Sequence, residues 1–179
     1  MARHGAVPAA RLFFGVPVAA PLREALGALA DALAARARGR AVPVANLHAT
    51  LAFLGTVPRD RVAELRSIGD ALRGRRCKVE LDRIGSFRGA RVAWIGTAAI
   101  PAPLAALQAD LAQRLADAGW TLDARPFSLH VTLARHCRVA LATDTVPALA
   151  WPVAQVALFE SIGTADGPRY EPLAAWPLA

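Results

Sequence analysis

Lysine is nearly missing from this chain: of its 21 basic residues, only Lys78 is not arginine. Cysteine is scarce too. Cys77 and Cys137 lie far apart with no close Cys/His spacing, so no zinc site is expected and both read as reduced structural thiols. Neither sits in a recognisable activating frame, which leaves little for a cysteine nucleophile. No stretch approaches the roughly 18–20 uninterrupted apolar residues that a membrane span requires. The first eight residues hold no apolar core followed by a small-residue cleavage site, so no signal peptide is expected and the cytoplasm is the default location. No low-complexity segment or linker divides the 179 residues.

What is present excludes disorder. Apolar residues make up 55% of the chain and the mean hydropathy is +0.33, enough for a real core in one domain, 1–179, of one body or two small lobes. The formal charge is +7 with a pI near 11.1. Arginine's planar fork suits phosphate, so the charge permits an anionic partner such as RNA. Biased base composition, which favours Arg, Ala, Gly and Pro together, accounts for the excess equally well.

The pattern reads as alternating strands and helices. Arg11–Val16 reads as a buried strand; Pro21 opens a helix with Leu22, Leu26, Leu29 and Leu33 at helical spacing, closed by the run 36–40. Residues 46–54 read as a strand. Pro58 starts a second helix striped by Val62, Leu65, Ile68 and Leu72. Strands follow near Cys77–Ile84 and Arg91–Gly96, with a polar turn over 85–90. A third helix opens at Pro101 and carries Leu104, Leu107, Leu111 and Leu115. After the strand 128–134, Trp151–Ile162 and Tyr170–Trp176 read as a closing pair around a turn at 165–168. Strands in pairs with few helices predict an α+β fold with antiparallel sheets.

The informative feature is a repeat. Leu47-His48-Ala49-Thr50-Leu51-Ala52 recurs as Leu129-His130-Val131-Thr132-Leu133-Ala134, with one residue changed. Side chains on a strand alternate faces, so each copy sets an imidazole beside a hydroxyl on one face and three apolar residues on the other. Two such strands facing a cleft would place two imidazoles and two hydroxyls around one small anion. A single His-x-Thr is weak evidence; the matched pair is much stronger. Two rivals are a duplicated lobe whose histidines only hydrogen-bond, and a metal site, for which two histidines without carboxylates are a poor ligand set. His4 lies in the terminus, and His136 reads as an exposed polar residue at a strand end.

On these motifs, with Arg11–Phe14, Asn46, Phe53-Leu54-Gly55, Arg91–Trp94, Arg125-Pro126-Phe127, Arg135, Glu160-Ser161 and Tyr170, the chain resembles the two-histidine phosphoesterases. Within them it is similar to the bacterial and archaeal RNA 2′,3′-cyclic phosphodiesterases, first described as 2′–5′ RNA ligases. The resemblance covers nearly the whole chain, with one departure: Leu129 stands where proline is usual. It implies two pseudo-symmetric lobes, each an antiparallel sheet flanked by helices, with the active-site cleft between them. It further implies that His48 is the proton donor, His130 the acceptor, that Thr50, Thr132 and Arg135 bind phosphate, and that Phe53 lies near the terminal base.

The expected chemistry follows. Opening a cyclic phosphodiester needs a proton removed from water and another given to a ribose oxygen, work that a histidine pair performs without a cofactor or metal. The expected partner is an RNA end bearing a 2′,3′-cyclic phosphate, since DNA cannot form that ring; no membrane partner is expected, and the state is read as a monomer. Arg36, Arg38, Arg40, Arg75, Arg76 and Arg88 are candidates for steering RNA or for a plain solvated surface. Phe127 is a second candidate for stacking on a base. Two alternatives stay open: a related esterase acting on a small cyclic nucleotide or an ADP-ribose cyclic phosphate, and a non-catalytic RNA-binding module.

Overall fold

The computed structural model describes residues 8–165 and 167–179. His4, and Asp166 of the turn expected over 165–168, lie outside the described residues. The chain runs β1 (Ala9–Pro17), α1 (Ala20–Ala37), β2 (Arg40–Ala41), β3 (His48–Pro58), α2 (Val62–Ala71), β4 (Cys77–Phe87), β5 (Val92–Gly96), α3 (Ala102–Asp117), β6 (His130–Arg135), β7 (Asp144–Val153), β8 (Gln155–Thr164) and β9 (Gly167–Pro177).

The strands pair antiparallel in the order β7-β4-β5-β6-β3-β1-β8-β9, with β2 on β6. Two half-sheets are evident in that order. One is centred on β3 and the other on β6, and a single bridge, Ala49 with Val131, joins them. The α+β expectation of two lobes with antiparallel sheets therefore holds. The repeated strands lie side by side at the seam.

The helices cross over. The helix α1 packs on β6 and β2 of the second half, whereas α3 packs on β3 of the first. Each helix thus covers the opposite half-sheet, which explains why one continuous apolar core spans both. Leu26 and Leu33 of α1 and Leu111 and Leu115 of α3 are fully buried in it; each such burial contributes roughly 1.5–3 kcal/mol. The expected helix end at Gly39 comes one residue early: Arg38 takes the left-handed cap (φ 50°), and Gly39 donates its N–H to Ala34 O. Glycine is needed at 39 for another reason, because a Cβ there would lie 2.8 Å from the carbonyl oxygen of Arg135.

Three expectations are corrected. The strand expected over Trp151–Ile162 is two strands broken at Ala154; β7 joins β4 at one sheet edge and β8 joins β1 in the other half. The polar turn over 85–90 is shorter, since β4 continues through Phe87 opposite Val92. Pro58 ends β3 instead of opening a helix; a 3-10 turn, Arg59–Arg61, precedes α2. Among the described residues, no helix is long and apolar enough to cross a membrane.

Candidate active site

The site begins with backbone register. Leu47, Ala49 and Leu51 are buried, as are Leu129, Val131 and Leu133, so the opposite face carries His48, Thr50, His130 and Thr132. The Ala49–Val131 bridge sets His48 across from Thr132 and Thr50 across from His130. The repeat thus delivers both imidazole–hydroxyl pairs to one face of the seam.

Each repeat also carries a β-bulge at its second leucine. Opposite adjacent residues Phe14 and Gly15 of β1, strand β3 places Ala52 and Thr50, leaving Leu51 extra. Opposite Ala93 and Trp94 of β5, strand β6 places Ala134 and Thr132, leaving Leu133 extra. A bulge shifts alternation by one residue. Both Leu-Ala pairs are consequently buried, and the next residues, Phe53 and Arg135, return to the histidine face. Phe53 is 48% exposed beneath the guanidinium of Arg11, 5.0 Å from the ring centre. Arg135, half-buried, makes no ion pair among the described residues, and its charge acts on both imidazoles.

The rings are held alike. His48 donates from Nδ1 to Asn46 O at 2.7 Å, and His130 donates from Nδ1 to Ser128 O at 2.8 Å, each to the carbonyl two residues back. A carbonyl only accepts, so both neutral rings carry their proton on Nδ1 and leave Nε2 as the reacting atom. Nε2 of His48 accepts from the Thr50 hydroxyl at 3.1 Å. Aromatic walls complete each pocket. Phe13 lies 4.7 Å from the His48 ring and Tyr170 meets it edge-on at 5.0 Å; Phe87 meets His130 edge-on at 4.9 Å. Burial in these walls lowers His48 from 6.5 to about 4, with Arg135 and His130 adding to the effect against the Asn46 hydrogen bond. His130 is lowered by burial and then by Arg135. Both rings are neutral at rest near pH 7.

Asn46 is the one buried polar residue of the core, at 7% exposure among the described residues. Its Nδ2 donates to Pro168 O at 2.7 Å and its Oδ1 accepts from the Tyr170 N–H at 3.2 Å, while its own carbonyl holds His48. It ties the β8–β9 hairpin, and with it Tyr170, to the first histidine. Asn46→Ala is expected to lower stability by about 1–3 kcal/mol, because two hydrogen-bonding groups of the hairpin lose their partner. The kcat should fall with little change in KM; thermal unfolding and steady-state kinetics read the two effects.

Phe127 is half-buried against the main core and offers no free face for stacking. Arg76 is tied to the C-terminal strand through Leu178 O. Cys137 is buried and Cys77 half-buried, with burial pushing the Cys77 thiol up, which disfavours a thiolate. Sequence reasoning missed the site roles of Asn46, Phe13 and Phe87. The one available signal was Asn46 lying two residues before His48, the spacing at which a carbonyl reaches Nδ1.

Comparison with known proteins gives the same division of the chain. The family model described as LigT like phosphoesterase matches twice, over residues 16–94 and 95–170, so each match holds one His-x-Thr. An RNA 2′,3′-cyclic phosphodiesterase of Escherichia coli K12 is 32% identical over 170 residues, covering 94% of this chain and 96% of that protein. An RNA 2′,3′-cyclic phosphodiesterase of Aeropyrum pernix is 28% identical over 144 residues, covering 72% and 80%. The crystal structure of E. coli LigT complexed with 3′-AMP superposes with a TM-score of 0.82 at 31% identity, covering 96% of this chain and 99% of that one.

Proposed function

This chain belongs to the LigT-like phosphoesterase family, and from that premise we propose that it hydrolyses the 2′,3′-cyclic phosphate at an RNA end to a 2′-phosphomonoester. The observation that carries the proposal is the pair of bulged strands presenting His48, Thr50, His130, Thr132 and Arg135 on one face.

His130 Nε2 takes a proton from water as the water attacks phosphorus. His48 gives a proton to the departing 3′ oxygen, leaving phosphate on the 2′ oxygen. The hydroxyls of Thr50 and Thr132 and the guanidinium of Arg135 hold the non-bridging oxygens as charge builds. His48 must be charged to act, and its resting value of about 4 opposes this. The anionic phosphate supplies the compensating charge, and a protonated ring so reluctantly charged is a strong acid toward the ribose oxygen. A 5′-hydroxyl in place of water would use the same two groups and form a 2′–5′ linkage, so ligation is the same step with another nucleophile. One chain holds the whole site, so a monomer suffices, working in the cytoplasm.

The test is an RNA oligomer ending in a 2′,3′-cyclic phosphate. A 2′-phosphate product that forms in the presence of chelator is expected. A 3′-phosphate product would reverse the leaving oxygen and overturn the role assignment; turnover of cyclic mononucleotides without turnover of the oligomer would overturn RNA as the substrate.

A further inference from the structure

Beside His130 the surface sinks into a depression of about 450 Å³ lined by Phe87, Arg88, Arg91, Arg138 and Val139. Phe87 is shared between the two: its ring meets His130 edge-on and is itself 36% exposed. Among the described residues, none of the three arginines lies within ion-pairing distance of a carboxylate, although six ion pairs form elsewhere on the chain. The side chains of Arg88 and Arg138 make no hydrogen bond either. Such a concentration of unneutralised charge repels itself, and nothing in the fold offsets it.

The walls are tied together. Arg91 donates from Nε to Cys137 O at 3.2 Å, and Cys137 donates its N–H to Arg91 O at 2.9 Å. This reciprocal pair locks the β4–β5 turn against the segment after β6, with Arg91 and His136 both in the left-handed region (φ 53° and 56°). The arginines are therefore held in place before any ligand arrives. Resting on the hydrolase reading above, we propose that this depression is the strand track for the RNA body: it binds the backbone phosphates immediately 5′ of the cyclic end, with Phe87 as the partition between reacting and bound phosphates. The chemistry fits a nucleic-acid strand, since three unpaired forks beside an aromatic face match repeated phosphates and a base. A cyclic phosphate is the 3′ terminus of its strand, so the next anions along the chain lie on one side only.

The test compares an RNA oligomer with a mononucleoside 2′,3′-cyclic phosphate in the unaltered protein and in Arg88→Gln/Arg138→Gln, two side chains with no structural contact to lose. The oligomer's KM should rise at least tenfold while the mononucleoside's KM and kcat stay within twofold. The slope of log binding against log salt should shrink by about 1, near the ~0.7 per phosphate contact of single strands. Equal KM changes for both substrates, or none, would overturn the track. Binding of an oligomer already ending in a 2′-phosphate, read by fluorescence anisotropy, separates the two proposals. Binding that depends on Arg88 and Arg138 in a protein that hydrolyses neither substrate removes the hydrolase reading and sustains the track; binding indifferent to them removes the track alone.

Discussion

His130→Ala is expected to lower kcat/KM by 10²–10⁴-fold, His48→Ala by a similar factor, and the double variant by little more than either alone. A general acid or base contributes about that much, and groups that act on one proton path are not additive. The stability of the variants should diverge with pH. His48 is held near 4 in the fold against 6.5 for a free histidine. Between those values the unfolded chain binds more protons, so the native state loses stability as pH falls from 6.5 toward 4, on the order of 3 kcal/mol over the window. Above pH 6.5 that contribution is fully present. His48→Ala has no such ring to protonate and should lose less stability than the parent on acidification. Chemical denaturation at pH 7 and pH 4.5 reads this directly; an unchanged pH slope in His48→Ala would show that the ring is not desolvated.

The catalytic face was legible because it rests on period-two alternation alone: Leu47, Ala49 and Leu51 inward, His48 and Thr50 outward, and the same in the second copy. Alternation fails one step later. Carried on unbroken, it puts Phe53 with Ala49 and Leu51, and Arg135 with Val131 and Leu133, on the core face. The bulges at Leu51 and Leu133 reverse both placements. No local composition announces them, since Leu-Ala is ordinary strand sequence, and only the resemblance pointed to those two positions. The break at Ala154 was hidden for a similar reason. The run Trp151–Leu158 is apolar throughout except at Gln155, and its division is imposed by where β4 and β1 lie. Crossed helices were beyond reach too, because the leucine stripes of α1 and α3 state that a face is buried and not which half-sheet buries it.

Arg135→Ala should then act twice. Losing a charged hydrogen-bond donor to phosphate costs about 1.5–3 kcal/mol, or roughly 10–150-fold in kcat/KM. The same substitution removes a positive charge that, after burial, pushes both histidines down. In the parent, both limbs of the kcat/KM profile are expected below pH 6.5, because that ratio reports the free enzyme and both free rings are lowered. The kcat profile, which reports the complex, should lie at higher pH, since bound phosphate favours the charged rings. Arg135→Ala should move both limbs of kcat/KM upward without changing the bell shape. Arg135→Lys should restore most of the downward shift but only part of the rate, because an ammonium keeps the charge and loses the planar fork. A profile unmoved in Arg135→Ala would mean that the guanidinium does not face the rings, and the bulge at Leu133 would then lose its functional meaning.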